Sequence, residues 1–545
     1  MKKDVKILVS VMLSMLVFAT ITTIAQNIEE NSALESENKD SPMSLVASFL
    51  GIGRDILYVG GTGPNNYTTI QEAIDNASEG DTIFVYDDSS PYVENIVINT
   101  TLSLVGEQKE TTIINGSEEG NVIEVYADDV SITGFSILRN SWSDDGLWVR
   151  ANHTQVIGNI INNSGYGFKT YQTNNHVISQ NVFIGCHVAI QISKSEGNAI
   201  DNNSLYDNYL SGITLFSTAN SSLADNYIRA NTHLGIQPSY NGIRLSESTG
   251  NSVVHNTIES ILDNGWSGLA LWYSYGNVIK ANDMIKTGLD WYKSSENQII
   301  DNIVNGKPLV FLVNETDMVI DNAGQVILVN CERITVQNLD LQNLENGIHL
   351  YQTDDSLIQQ NYLSLCWKGI WLDESYSNVI TDNTLDENDY GISVRYGSDN
   401  IVSDNTVENS DYVGIHVSSR KTTIQGNLLH NCSGGVFLSG RLFPRNKVLF
   451  NRFQECRYGI WIQWTSTNLI MRNDFFSNEH DAWFDTALAN HWVKNYWGGP
   501  TLVPHKIPGE ILLYEYYPPT GGGYEIRIPW ANYDLRPAKI PNYTA

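Results

Sequence analysis

Positive charge is what this sequence lacks most. Its 545 residues carry 32 Lys and Arg against 61 Asp and Glu, a formal charge of −29, and only 17% of them are charged at all. A surface so short of cations cannot neutralise a phosphate backbone, which argues against a nucleic-acid partner. The five cysteines and seven methionines form no Cys-x-x-Cys, His-x-x-x-His or Met-rich cluster, so spacing supports no metal site. Long apolar runs are missing too, with one exception. Lys2, Lys3 and Lys6 precede the run Ile7 to Ile24, which ends near Ala25. This pattern marks residues 1–26 as an export signal or an N-terminal anchor, the only segment through which the chain could attach to a membrane. Residues 27–54, with Glu29, Glu30, Glu35, Glu37 and Asp40, read as a polar linker. The expected location is secreted or at the cell surface.

What the sequence has in abundance is repetition. An asparagine followed two residues later by an apolar side chain recurs at Asn159, Asn181, Asn203, Asn226, Asn256, Asn282, Asn302, Asn338, Asn361, Asn383, Asn405, Asn427, Asn451 and Asn473, mostly 22 or 23 residues apart. A Gly-aliphatic-x-aliphatic phrase keeps step, as in GIHL from Gly347, GIWL from Gly369, GISV from Gly391 and GIWI from Gly459. The period is too short for a propeller blade, and the apolar residues alternate with period two, which is strand patterning. Three short strands per copy, each burying one face, build a parallel β-helix whose coils stack at ~4.8 Å. The phrases count to about fourteen regular coils, a rod on the order of 65 Å long. Glycine is expected to serve a tight corner and asparagine a left-handed one, with amide hydrogen bonds passing from coil to coil.

Both ends of such a rod need covering. TTIQEAIDNASEGDTIFV (68–85) predicts a short capping helix with Ile70, Ala73, Ile74 and Ala77 on one face, and NHWVKNYWGGP (490–500) predicts an aromatic C-terminal cap. The helical rod therefore spans 55–500, interrupted by insertions near 232–240 and 305–321, the second read as a protruding hairpin. A Pro- and aromatic-rich tail occupies 501–545.

The repeats, the YTTIQEAIDNASEGDTIFV opening and the NYWGGP closing resemble the NosD-type family of right-handed parallel β-helix proteins, over roughly residues 57–500. The resemblance implies an all-β, single-stranded, pectin-lyase-like solenoid. Its relatives span pectate lyases, polygalacturonases, uronan epimerases, surface proteins without chemistry and a periplasmic factor for a copper enzyme. The polygalacturonase and epimerase motifs are absent, and Asp354-Asp355, Gly414-Ile415-His416 and Arg420-Lys421 are only echoes of them. Pectate lyase chemistry would need calcium held by carboxylates and a basic residue, for which Asp144-Asp145 with Arg150, or Arg395, are the candidates. No residue pattern singles out a catalytic group.

Stacking converts sequence columns into surface rows. In Gly-Ile-x-Val the x side chain and the one two residues later face outward. The first outward row reads His349, Trp371, Ser393, His416, Phe437, Trp461, and beside it run Tyr351, Asp373, Arg395, Ser418, Ser439, Gln463. Exposed aromatics interleaved with Arg, Asp, His and Ser suit sugar rings, so His349, Tyr351, Trp371, Asp373, Arg395, His416 and Trp461 form the expected glycan-binding stripe. The N-terminal half continues it with Trp148, Lys169, Gln191, Thr214, Arg244 and with Arg150, Tyr171, Ser193, Phe216, Ser246, Trp272, whose basic members suit an acidic sugar. The outward carboxyls, Asp290 and Asp373, should lie about three coils or ~14 Å apart, too far for a glycosidase pair. Cys186, Cys366, Cys432 and Cys456 share one corner, with Cys432 and Cys456 either a disulfide or two buried thiols. Binding of an extended carbohydrate, cleavage or epimerisation of a uronic polymer, NosD-like maturation of a copper enzyme, and a purely structural role all remain open.

Overall fold

In the computed structural model the described residues are 55–542, apart from 118, 142, 231–240, 262–266, 441–443, 488, 500–502 and 518–521. The signal and linker segments and the 232–240 insertion therefore lie outside them. From Leu57 onward the chain is a right-handed solenoid of three strands per coil. The coil around Asn383 shows the unit. Its first face is Val379–Thr381, its second Thr384–Asp386 and its third the glycine-phrase strand Tyr390–Ser398. Each strand pairs in parallel with its counterpart one coil away, so that Val379 faces Ile401, Thr384 faces Thr406 and Ile392 faces Ile415. The inward aliphatics Ile380, Leu385, Ile392 and Val394 are fully buried in one continuous core.

The coils number about 19, more than the fourteen expected. The extra ones are mainly N-terminal, where the asparagine column does not exist. Strands Thr82–Val85, Ser103–Gly106 and Ser131–Thr133 stack below Gln155–Ile157 on the first face, and two residues after the last of them, at the place equivalent to Asn159, stands Phe135. Phe135 has no amide to pass on, yet its backbone N–H donates to Asn159 Oδ1 at 3.0 Å.

That contact is the first rung of a ladder. Each asparagine's backbone N–H, and in most rungs its Nδ2–H, donates to Oδ1 of the next, from Asn159 through Asn181, Asn203, Asn226, Asn256 and Asn282 to Asn302. A second flight runs from Leu339 through Asn361, Asn383, Asn405, Asn427, Asn451 and Asn473 to Asn495. The ladder asparagines are not themselves left-handed. The residue before each one is: Asp382 has φ 54° and Asp404 φ 55°. Asn338, which the spacing places in the ladder, occupies this left-handed position (φ 57°), and Leu339 takes the rung. The phrase glycines are not left-handed either; they lie within the extended strands, and crowding explains them. A Cβ on Gly391 would stand 2.5 Å from the Gly414 carbonyl oxygen of the next coil.

Both caps form. The helix Ile70–Asn76 buries Ile70, Ala73 and Ile74 against the first coil, with Thr69 as N-cap and Glu94 accepting the amides of Ile70 and Gln71. At the other end the tail pairs as an antiparallel hairpin, His505–Tyr517 with Gly522–Asp534. Asp534, fully buried, ends the ladder: its carboxylate accepts from Asn495 N, Asn495 Nδ2, Trp497 Nε1 and Lys494 N. The segment 305–321 does not protrude. After an antiparallel reversal at Val304 and Lys307, the strand Lys307–Val313 runs parallel to Gln325–Val329 within the glycine-phrase face. All five cysteines are buried free thiols, with those of Cys432 and Cys456 in hydrogen-bond contact.

Replacing Asn383 by Ala should cost about 2–4 kcal/mol, because the buried Asn361 N–H loses its acceptor and the Ile358 carbonyl its donor. A denaturant midpoint unchanged from the parent would remove the ladder as the source of register.

Candidate functional site

The glycine-phrase face is interrupted once, and the interruption builds a site. Strand Gly288–Tyr292 ends one stack of this face and Lys307–Val313 begins the next. Where the following coil's backbone would continue the ladder beside Leu289, the Gln325 side chain stands instead. Its Oε1 accepts from Leu289 N, and its Nε2 donates to the carbonyls of Leu289 and Asn346, each at 2.8 Å. One amide side chain thus imitates a peptide group and joins segments 36 and 21 residues away.

This splice brings together groups that the even repeat keeps apart. Asn346 Nδ2 donates to Asp290 Oδ1 at 3.3 Å, and Trp272 Nε1 donates to Asp290 Oδ2 at 2.7 Å. Lys368 Nζ reaches Asn346 Oδ1 at 3.4 Å and lies over the Trp371 ring, 4.2 Å from its centroid. Glu345 interacts with both Asp290 and Lys368. The sequence-based inventory of outward carboxyls, Asp290 and Asp373 alone, is therefore incomplete. Glu345, Asn346 and Lys368 escape it because they sit at the corner before the glycine, where strand alternation does not set side-chain direction.

The predicted rows hold their order. His349 pairs with Trp371, Trp371 with Ser393, Ser393 with His416, His416 with Phe437 and Phe437 with Trp461; Tyr351, Asp373, Arg395 and Ser418 run alongside. Their exposure is what differs. His349 is 1% exposed, Asp373 3%, Trp371 7% and His416 8%, while Tyr351, Arg395 and Trp461 are half-buried. Rings at coil spacing cover one another: His349 stacks on Trp371 at 4.0 Å and 6°, His416 on Phe437 at 5.1 Å, and Phe437 meets Trp461 at 4.6 Å. Trp291 closes the lower end against His349 and Tyr351. The structure thus gathers His349, Tyr351, Trp371, Asp373 and Arg395 with Asp290, Glu345 and Lys368, and leaves Trp461 at the far end of the row.

Electrostatics within the cluster are set by burial. Burial and the neighbouring Asp290 push the Glu345 carboxyl up to about 8, and burial with Glu374 pushes Asp373 up to about 6, against the pull of Arg395. Asp290 is raised by burial, opposed by the Trp272 N–H and by Lys368. Lys368 is lowered by burial, opposed by Glu345 and Asp290. His349 falls to about 3 through burial and Lys368, and His416 to about 4 through burial and Arg395, so both imidazoles are neutral at pH 7. Several polar atoms here have no hydrogen-bond partner: both His349 ring nitrogens, Trp371 Nε1, Asp373 Oδ1, Arg395 Nε and Trp461 Nε1. Such orphans are uncommon in native proteins and point to an additional partner.

The carboxylates anticipated for calcium are engaged with cations of the chain. Asp144 is paired with Arg139 and Asp145 with Lys169 (3.2 Å), while Arg150 lies flat on Trp148. No group of three His, Cys, Asp or Glu side chains among the described residues could hold a metal ion, and no described helix is long and apolar enough to cross a membrane.

The class is set by these coils: a right-handed parallel β-helix. Residues 304–503 match the family model described as periplasmic copper-binding protein (NosD), and residues 120–260 match that of the right handed beta helix region. Among solved structures it is similar to the A-module of mannuronan C-5 epimerase AlgE6 from Azotobacter vinelandii (12% identity over 79% of this chain and 93% of that one, TM-score 0.29). It is also similar to DFA-IIIase from Arthrobacter chlorophenolicus A6 in complex with GF2 (11%, 81% and 94%, TM-score 0.29) and to pectin methylesterase PemA from Erwinia chrysanthemi (12%, 46% and 93%, TM-score 0.28). No curated protein matches the sequence.

Burial of the cluster has two measurable outcomes. Trp371→Ala should destabilise by about 3–5 kcal/mol, the range for a truncated core aromatic, measured by denaturant unfolding. The native state also holds a proton on Glu345 between its usual value near 4.5 and about 8, so this carboxyl makes stability fall as pH rises through that window. Glu345→Gln should flatten the slope of Tm against pH between 5 and 8; an unchanged slope would place the carboxyl in solvent.

Proposed function

We propose that the protein is an extracytoplasmic β-helix that binds an extended carbohydrate along the outer glycine-phrase face, from the splice at Asn346 to Trp461. The observation that carries this reading is the row of rings whose edges bear unpartnered hydrogen-bonding groups, at Trp371, Trp461, His349, Asp373 and Arg395. The partly exposed Trp461 and Tyr351 rings can take the apolar face of a sugar, and its hydroxyls can pair with the exposed part of Arg395, while the unpartnered groups beneath become available only where a ligand displaces the rings above them. Half-exposed Tyr351, Arg395 and Trp461 are the points of entry. Glu345, Asp290 and Lys368 favour a second reading, proton transfer on a bound uronic sugar by a lyase or epimerase. A carboxyl held protonated beside an amine whose proton is loosened supplies both an acid and a base near neutral pH.

Glycan arrays followed by calorimetry test binding. Trp461→Ala should lower affinity about thirtyfold, the equivalent of ~2 kcal/mol for a stacking hot spot, and Arg395→Ala should weaken acidic ligands more than neutral ones. A parent protein silent on every glycan would leave the row as internal packing. For the second reading, polyuronate incubated with the parent should develop ultraviolet absorbance from unsaturated product if the site eliminates, or an altered sugar ratio by NMR if it epimerises. Lys368→Ala should abolish either signal.

A further inference from the structure

The outer glycine-phrase face of the N-terminal half carries a feature that the carbohydrate reading of the C-terminal half does not use. On consecutive coils the second outward row runs Tyr126, Arg150, Tyr171, and the first runs Trp148, Lys169. The Arg150 guanidinium lies over Trp148 at 3.4 Å from the ring centroid and over Tyr126 at 5.4 Å. Lys169 sits between Tyr166 and Trp148 at 4.4 and 5.3 Å, and Lys194 covers Tyr171 at 5.1 Å. Cations alternate with rings over four coils.

Charge makes this arrangement informative. With 61 acidic residues against 32 basic ones, a cation on this surface would ordinarily meet a carboxylate. Here the nearby carboxylates are already engaged. Asp145 is bound to Lys169 at 3.2 Å, and Glu124 accepts from the Tyr126 hydroxyl at 2.6 Å and from Asn121 at 2.9 Å. Arg150 and Lys194 are exposed and form no ion pair with a carboxylate among the described residues. A guanidinium flat on an indole keeps its N–H edge outward, in the geometry that receives a planar carboxylate or a sulfate in two hydrogen bonds. Tyr126 and Tyr171, 43% and 49% exposed one coil to either side of it, each have one ring face beneath a cation, Arg150 or Lys194, and keep the rest of the ring in contact with solvent. A ligand lying along the axis meets a new coil every ~4.8 Å, and an extended sugar chain places its rings at a comparable spacing, so a ring stacked on one tyrosine brings its anionic substituent to Arg150.

We propose that Tyr126, Trp148, Arg150, Tyr171 and Lys194 form a second binding patch, for an anionic polysaccharide whose sugars carry carboxylate or sulfate groups. The chain's overall negative charge opposes any polyanion at long range, but a Debye length of about 8 Å at physiological salt confines that repulsion and leaves the local contacts in force.

The test is binding of the full chain to polygalacturonate, to heparin as the sulfated counterpart, to neutral dextran and to single-stranded oligo(dT), at 0.15 M salt. Polygalacturonate or heparin should bind, dextran should not bind at this patch, and the preferred anion identifies the substituent. Arg150→Ala combined with Lys194→Ala should weaken the preferred polyanion at least tenfold, with the circular dichroism spectrum retained. Arg150→Lys should restore part of the affinity, and Tyr171→Ala should weaken binding without altering its salt dependence. Arg395→Ala, on the other half, should leave the contribution of Arg150 and Lys194 intact, which keeps this patch separable from the C-terminal row. Failure of the parent to bind either polyanion, equal binding by the double variant, or tighter binding of oligo(dT) than of both polysaccharides would each overturn the proposal.

Discussion

Amide hydrogen bonds from one coil to the next are the constraint on which the rest of the molecule depends. Backbone pairing alone leaves parallel coils free to slip by two residues, since a slip of two returns every side chain to the same face. The buried asparagines remove that freedom. Asn383 accepts from Asn361 and donates to Asn405, to Ile358 O and to Thr381 O, so a slipped coil would strand several buried polar groups together. With register locked, the outward residues of successive coils fall into straight rows. A surface of this length with side chains in fixed columns can present the same chemistry at every coil, or a chosen change of chemistry at one.

The change comes where the ladder stops. Asn302 ends the first flight and Leu339 opens the second, and between them the coil sheds its second-face strand before Gln325. Gln325 heals the gap with a side-chain amide in place of a peptide. The cost of interrupting a solenoid is met by one residue, and the gain is a place where residues far apart in sequence, Asp290 and Asn346, come within hydrogen-bond distance. Ionisable groups concentrate there, Asp290 buried and Glu345 and Lys368 partly so, in keeping with the general tendency of perturbed carboxyls and amines to mark functional sites.

Two halves of one face then carry two kinds of chemistry. Below the splice, cations lie on partly exposed rings, and Arg150 and Lys194 are exposed without a carboxylate partner among the described residues, Lys194 donating to the Tyr171 hydroxyl. Above it, rings stack on rings and leave polar edges unpartnered. The difference arises from the residue that each aromatic meets on the next coil: Trp148 meets Lys169, whereas His349 meets Trp371 and His416 meets Phe437. Flat neighbours stack and bury one another, while a long cationic side chain leans across a ring and leaves the next one open.

The solenoid, its three strands per coil, the N-terminal cap and the order of the outward rows were legible in the sequence, because each depends only on periodicity and on local pattern. The asparagine period implied stacking, and stacking implied the columns. Coil number was legible only where asparagine marked the coils, and Phe135 shows how an unmarked coil goes uncounted. The tertiary structure alone decided which neighbour covers a ring, where Asn338 gives its rung to Leu339, and that Gln325 joins Leu289 to Asn346 so that Glu345, Lys368 and Asp290 converge. A repeat predicts contacts between equivalent positions one period apart. It says nothing of contacts made where the period fails, since those depend on the path the chain takes through space between two points that the pattern leaves unconnected.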